Sequence, residues 1–377
     1  MDRTDTLGIY IHVPFCRSKC PYCDFYSQLK KEKAGEYISS LINEIKTLGR
    51  MSDFVSDEVK QKTVDTIYFG GGTPSVLEGA QISAVLDAIR QEFTVSEMAE
   101  ITVECNPSGE KFEEFILCCK KAGVNRISLG MQSAVDSERK KLGRKADREE
   151  IRKKVEFIKS AGITDISIDV MLGVPGQTME SLDETLDFVK NMDVPHISAY
   201  ILKIEEGTPF YKLQNKLSLA DEDTVSDMYL HMCSVFEAAG FVHYEISNFC
   251  KPSSESAHNT KYWEDKEYLG FGPAAHSFYD KKRFYFESDL DKFICGEKAV
   301  FDSEGGDCEE YFMLRLRLKK GVSLREMKEK FSFEPDKNFH KSISRFVENG
   351  LCRFDGEVLS LTDKGMLLSN AIITTLI

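Results

Sequence analysis

Tryptophan occurs once in these 377 residues, proline only ten times, and no apolar run approaches the length of a membrane span. A bilayer helix needs about 18 or more consecutive apolar residues, so no transmembrane segment is expected. The first residues, Met1-Asp2-Arg3-Thr4-Asp5, carry two acids and lead into no apolar stretch. No signal peptide is therefore expected, and the expected location is the cytoplasm. Basic charge is also in deficit, with 49 Lys and Arg against 62 Asp and Glu and a net charge of −13. Nothing concentrated and basic offsets that repulsion, which argues against nucleic acid or anionic membrane surfaces as partners. A disulfide framework is missing as well. The eleven cysteines are an odd number in a long chain without a secretion signal, and most of the scattered ones read as small buried hydrophobes. What is present, 42% hydrophobic and 29% charged residues, suffices for a large core and a second domain.

Short β-branched runs alternate with amphipathic stretches. The runs are Ile9–Val13, Thr66–Phe69, Ile101–Glu104, Arg126–Leu129, Asp165–Met171 and His196–Ile204. Between them, Glu36–Leu48, Gln81–Glu92, Glu149–Ala161 and Ser181–Lys190 have helical spacing. Crossovers of that length join parallel strands. Ala122-Gly123-Val124-Asn125-Arg126-Ile127-Ser128 recurs as Ala161-Gly162-Ile163-Thr164-Asp165-Ile166-Ser167, and Ala239-Gly240-Phe241 echoes both. Each Gly suits a helix C-terminus before a strand. Such units build an α/β fold, either a doubly wound sheet or a complete or partial barrel. After Gly296 the pattern changes to helices at Glu309–Leu318, Leu324–Phe331 and Lys341–Asn349, a hairpin over Leu351–Asp355 and Val358–Leu361, and a last helix over Lys364–Leu376. This reads as a small winged-helix-like module without a basic surplus, suited to packing or a partner rather than DNA. The expected domains are 1–295 and 296–377.

Three cysteines are clustered. Cys16, Cys20 and Cys23 lie on one loop after the first strand, spaced C-x3-C-x2-C. Three thiolates can hold three corners of an iron–sulfur cubane and leave the fourth iron open to another ligand. A zinc loop is the alternative; it needs a fourth ligand nearby, and His12 is the only local candidate.

Cys16-x3-Cys20-Pro21-Tyr22-Cys23 resembles the signature of the radical S-adenosylmethionine (SAM) superfamily. The resemblance implies a [4Fe–4S] cluster on these cysteines, with SAM chelated to the open iron. One electron then cleaves the sulfonium C–S bond to give methionine and a 5′-deoxyadenosyl radical; the cofactors carry that chemistry while the protein orients and shields them. Further SAM contacts are implied for Tyr22 beside the adenine, for Gly71, Gly72 and Thr73 in Gly70-Gly71-Gly72-Thr73-Pro74 at the amino group, and for Glu104 at the ribose diol. Gln132, Arg144 at the SAM carboxylate, Asp169 and Tyr10 complete the set. Most of these fall at C-terminal strand ends, where α/β barrels assemble their sites.

The motifs Tyr10-Ile11-His12-Val13-Pro14-Phe15-Cys16, Gly71-Gly72-Thr73-Pro74-Ser75 and Gly173-Val174-Pro175-Gly176-Gln177-Thr178 narrow the resemblance. They are similar to the oxygen-independent coproporphyrinogen III dehydrogenase family, which includes a haem-chaperone branch. The implied fold is a partial (β/α)6 radical SAM barrel with a C-terminal helical, winged-helix-like domain. The dehydrogenases carry a further Cys two residues beyond the triad and a long N-terminal arm. Here the residues are Asp24-Phe25, and nine residues precede Tyr10; both favour the haem chaperones. His258-Asn259-Thr260-Lys261-Tyr262-Trp263 matches the HNxxYW pattern that the chaperones carry. The resemblance implies haem binding by His258, an imidazole suited to axial ligation, with Tyr262 and Trp263 as flat apolar neighbours. His276 is the competing ligand, and His12 is placed to tune the cluster indirectly. A haem carrier implies a haem-accepting protein, such as one of the respiratory chain, an electron donor such as a flavodoxin or ferredoxin, and room for transient contact with a membrane protein. The alternatives are the dehydrogenase, which oxidatively decarboxylates coproporphyrinogen III, and a radical SAM enzyme with another substrate.

Overall fold

Alternation with a period of two builds the large sheet. In a computed structural model, which describes residues 6–377, six parallel strands stand side by side in chain order. They are β1 (Thr6–Val13), β2 (Thr63–Gly71), β3 (Thr94–Cys105), β4 (Arg126–Gln132), β5 (Asp165–Leu172) and β6 (His196–Ile201). Ile9, Ile11, Ile67, Phe69, Val103, Ile127, Leu129, Ile166, Ile168 and Ile197 share one apolar cluster with Leu41, Ile45, Ile82, Val85, Leu182 and Leu186 of the crossover helices. Each such side chain contributes about 1.5–3 kcal/mol by leaving water. The residues between them are polar and face the other way: Tyr10 and His12, Thr66 and Tyr68, Thr102 and Glu104, Ser128, Ser167 and Asp169, Ser198 and Tyr200. The ends of β2 to β6 and the loop after β1 line one cavity, so the sheet curls around this polar interior.

The sheet does not close. β6 is followed by antiparallel β8 (Asn248–Cys250) and β7 (Val242–Glu245). On the far side β9 (Tyr268–Phe271) adds parallel to β1, and β10 (His276–Tyr279), β11 (Lys282–Tyr285) and β12 (Val300–Glu304) extend the edge antiparallel. The large sheet thus runs on past the composition change at Gly296, through Glu304.

The three Ala-Gly repeats end helices in the same way. Gly123, Gly162 and Gly240 have φ of +95°, +83° and +79°. The amides of Val124, Ile163 and Phe241 reach back to the carbonyls of Cys119, Ile158 and Phe236, a six-to-one closure that satisfies orphan carbonyls.

Several expected boundaries shift: β3 starts at Thr94 rather than Ile101, β2 at Thr63 rather than Thr66, and the helix expected at Lys341–Asn349 spans Lys337–Glu348. β6 stops at Ile201 rather than Ile204 because its neighbour β5 ends at Leu172, with Leu202 N–H donating to the Leu172 carbonyl. The last helix breaks at Leu368 into Asp363–Leu367 and Ser369–Leu376. The break turns Met366 on one piece, and Ile372, Ile373 and Leu376 on the other, into the same core. The helices Cys308–Arg315, Leu324–Phe331 and Lys337–Glu348 pack with a sheet ordered β13 (Val322–Ser323), β15 (Val358–Leu361), β14 (Cys352–Phe354), a winged-helix arrangement.

Candidate functional site

Pro14 ends the edge of β1, and the loop that follows is stapled at several points. Cys16 N–H donates to the Gln28 carbonyl at 2.9 Å, and Gln28 N–H to that of Pro14 at 2.8 Å. Phe210 N–H holds the Pro21 carbonyl at 2.9 Å. The Gly-rich turn after β2 is bound to the same loop, with Gly72 N–H on Val13 and Thr73 N–H on Phe15, both at 2.8 Å. A Cβ on Gly71 would stand 2.6 Å from the His12 ring, and one on Gly72 would stand 2.7 Å from the Phe15 carbonyl oxygen. These glycines are therefore required by the approach of two loops, besides lining the cavity.

The cavity, about 560 Å³, opens over the C-terminal ends of the strands. Cys16, Cys20, Cys23, Tyr22, Gly71, Gly72, Thr73, Glu104, Gln132, Arg144 and Asp169 all line it. Among the described residues, the trio of Cys, His, Asp or Glu whose ligand atoms lie within 4.8 Å of one another is Cys233, His243 and Asp363. Cys16, Cys20 and Cys23 do not form such a trio; three thiols on one wall of a large cavity suit an inorganic body held at three corners. Burial raises the Cys23 thiol pKa. Thr73 Oγ1 lies 3.4 Å from Cys16 Sγ. His12 donates from Nε2 to the Tyr26 carbonyl at 2.9 Å, so Nδ1 accepts from the Tyr10 hydroxyl at 3.1 Å. Burial lowers the His12 pKa to about 4, and this neutral ring braces the cysteine loop from beneath.

Charges converge on the cavity wall. Arg144 Nη2 donates to the Tyr22 hydroxyl at 2.6 Å, while its Nε is buried without a partner. An unpaired guanidinium N–H beside three thiols is a donor ready for a carboxylate to accept from. Asp169 accepts from Ser128 Oγ at 3.1 Å, and burial raises its carboxyl to about 6. Glu104 Oε1 accepts from the Tyr68 hydroxyl at 2.8 Å, and burial raises its carboxyl to about 8. Gln132 sits at a register shift between β4 and β5 with φ +75°, a strained backbone that aims its side chain into the cavity. This donor set fits a cluster on the three cysteines and a SAM molecule between Arg144 and Glu104.

Tyr10 lies within β1, its ring centroid 6.3 Å from that of Tyr68 and 6.4 Å from that of His258, and a Cβ on Gly70 would stand 3.2 Å from its ring and 3.1 Å from Glu104 Oε1. The Gly173–Thr178 motif is structural: Gln177 Oε1 accepts from Gly173 N–H at 2.7 Å, and Thr178 caps the next helix.

The HNxxYW motif lies at the opposite end of the barrel. Ser256 caps the helix Ala257–Trp263, whose first amides donate to the Glu100 carboxylate on β3 at 2.8 and 3.1 Å. Lys261 pairs with Asp65 at 2.8 Å. The helix thus plugs the N-terminal end of the strands, and His258 is fully buried. Its Nδ1 meets Thr66 Oγ1 at 2.9 Å and its Nε2 meets the Tyr262 hydroxyl at 2.8 Å; burial lowers its pKa to about 3. Both ring nitrogens are engaged, so the expectation of an available axial ligand is not met in this conformation. Trp263 is also engaged, with the Arg317 guanidinium 5.6 Å above its ring. His276 is exposed on β10 and stacks on Tyr285 at 5.1 Å.

Sequence reasoning passed over Tyr68, Ser128 and Tyr200. Strict alternation with Ile67, Leu129 and Ala199 was the signal that could have found them.

Comparison with known proteins agrees with this geometry. Residues 10–189 match the radical SAM superfamily, and residues 307–368 match the HemN C-terminal domain. Heme chaperone HemW of Lactococcus lactis subsp. lactis (strain IL1403) is 34% identical over 372 residues, covering 96% of this chain and 95% of the relative. Its counterpart from Bacillus subtilis (strain 168) is 33% identical over 376 residues, covering 96% and 97%. Among solved structures, the coproporphyrinogen III oxidase HemN from Escherichia coli, a radical SAM enzyme, superposes with a TM-score of 0.84 at 21% identity, covering 99% of this chain and 90% of that one; this likeness shows the shared fold. With its cysteine loop, strand-end cavity and C-terminal module in place, the chain belongs to the HemW family of the radical SAM superfamily.

Proposed function

We propose that this protein is a haem chaperone that binds haem and passes it to an acceptor protein, carrying a SAM-ligated [4Fe–4S] cluster. The observation that carries the reading is full-length similarity to proteins named heme chaperone HemW, at 34% identity over 96% of the chain. The cysteine loop supports it: the position beyond the triad is Asp24-Phe25, and Phe25 is 65% exposed. In this reading Cys16, Cys20 and Cys23 hold the cluster, Arg144 receives the SAM carboxylate and Glu104 the ribose diol. When bound, the pair supplies one-electron chemistry. The chain's own residues orient and enclose it: Tyr22 is fixed by Arg144 and by Phe210, 6.4 Å away, and the bracing loops hold the three thiols.

Haem is received by a histidine of this chain. Ligation at His258 requires the helix Ala257–Trp263 to leave its seat, giving up the bonds to Thr66 and Glu100, and the imidazole Nε2 to release the Tyr262 hydroxyl of the same helix. Each net bond is worth about 0.5–1.5 kcal/mol, so an opened state is reachable but minor, and apparent haem affinity is reduced by its population. The partners are a haem acceptor, with respiratory-chain proteins as candidates, and a flavodoxin or ferredoxin as electron donor; the setting is the cytoplasm. Among the described residues no helix is long and apolar enough to cross a membrane.

The test is haem titration of the reconstituted protein, followed in the Soret band, for the wild type, His258→Ala and His276→Ala. Loss of at least tenfold in affinity with His258→Ala alone is expected. Unchanged binding in both variants would sink ligation by either histidine, and loss with His276→Ala alone would move the site to β10.

A further inference from the structure

The two ends of the barrel are joined by one continuous set of side chains. Glu104 at the cavity wall holds the Tyr68 hydroxyl at 2.8 Å. The Tyr68 ring stacks on His258 with centroids 5.2 Å apart and planes 24° from parallel. His258 in turn bonds Thr66, on the same strand as Tyr68, and Tyr262. A second connection runs along β3, where Glu104 faces the cavity and Glu100 receives the amides of Ala257 and His258. None of these groups is needed merely to close the barrel; an apolar interior would do that without buried carboxylates. A fully satisfied polar column is rigid, and a change at one member is felt by its neighbours.

We infer that Tyr68 is a positioning residue that couples SAM binding at Glu104 to the seating of the His258 helix, so that SAM in the cleft locks the haem motif shut. The inference rests on the proposed roles of Glu104 and His258. When the cleft is empty, burial favours the neutral Glu104 carboxyl at neutral pH. Ribose hydroxyls donating to Glu104 favour the carboxylate, which has lone pairs left for Tyr68. A hydroxyl bond to a carboxylate is roughly twice as strong as one to a neutral acceptor. Tyr68 is then held more firmly, and its ring presses His258 against Thr66. By linkage, haem captured at His258 weakens SAM binding by the factor that SAM weakens haem.

The experiment uses the full chain with an oxidised, reconstituted cluster, which cannot cleave SAM. Hydrogen exchange of residues 257–263 is measured with and without saturating SAM, alongside calorimetric SAM binding and a haem titration under the same conditions. The wild type should show exchange slowed about threefold or more by SAM and haem affinity lowered by a similar factor. Tyr68→Phe keeps the ring but not the hydroxyl; it should still bind SAM and lose the exchange response. Thr66→Val frees His258 Nδ1 without touching Tyr68; its basal exchange should rise while the SAM response persists. SAM binding with no exchange response in the wild type, or a full response in Tyr68→Phe, would overturn the coupling. So would loss of the response in Thr66→Val with Tyr68→Phe unaffected. Absence of SAM binding would overturn both the cleft and the coupling. An intact exchange response with no haem binding would support the coupling and sink the chaperone reading instead.

Discussion

At the scale of single residues, the site trades stability for ligand binding, and Glu104 shows it. Its folded-state pKa of about 8 lies above the ordinary carboxylate range. Between about pH 4.5 and 8 the folded chain therefore holds a proton that the unfolded chain has released, and stability falls as pH rises through that window. Glu104→Gln removes the titration while leaving an acceptor for Tyr68. This variant should melt higher than the wild type, by a margin that grows from pH 5 to pH 8, and calorimetry should show SAM affinity weakened about tenfold or more. A margin that shrinks with rising pH would contradict the buried-carboxyl description. The cysteines make a simpler case. Replacing Cys16, Cys20 or Cys23 with Ala should abolish cluster absorption after anaerobic reconstitution and leave far-ultraviolet dichroism unchanged, because these half-buried residues stand outside the apolar core.

At the scale of elements, the helix ends and strand faces were legible because their causes are local. Gly162 has φ +83°, and a Cβ there would meet only the flexible end of Lys120, Cε at 3.5 Å and Nζ at 3.7 Å; the cost of Gly162→Ala is backbone strain, about 1–2 kcal/mol. Gly35 lies in the helix Ala34–Thr47 with nothing within 4 Å of an added Cβ, so Gly35→Ala should stabilise by about 0.5 kcal/mol. Opposite shifts of the urea midpoint at constant slope would bear this out. The cysteine loop and the Gly-rich turn could be placed at the cavity from sequence because each follows a recognisable strand, and Glu104 and Asp169 because each lies on a recognisable strand. The HNxxYW helix could not. Spacing puts His258, Lys261 and Tyr262 on one face, but whether that face meets solvent, a porphyrin or the barrel interior depends on Thr66, Glu100 and Asp65, far away in the chain.

At the scale of the whole molecule, the C-terminal module is tied to the sheet edge through Asp363. Its carboxylate accepts from His243 on β7 at 2.9 Å and from Lys319 at 2.6 Å. These partners hold the Asp363 carboxyl well below its usual range. The stabilisation they give is present above the unfolded carboxylate pKa near 4 and is lost as pH falls below it. Asp363→Asn should therefore lower the melting temperature at pH 7, with the difference from the wild type shrinking in acid. Repeated strand–helix units and the C-terminal module could be anticipated from alternation and helix spacing, and the partial barrel from the family resemblance. This contact could not, because nothing local to Thr362-Asp363-Lys364 announces a partner on β7.

In the proposed reading the protein separates two jobs by the length of its strands, with the SAM cleft at one end and the buried haem motif at the other. The most direct measurement pairs a haem titration of the anaerobically reconstituted protein with a reaction supplying SAM, a reductant and coproporphyrinogen III. Stoichiometric haem binding with no vinyl product is the expected result. Formation of protoporphyrinogen without tight haem binding would contradict it and make this chain a dehydrogenase.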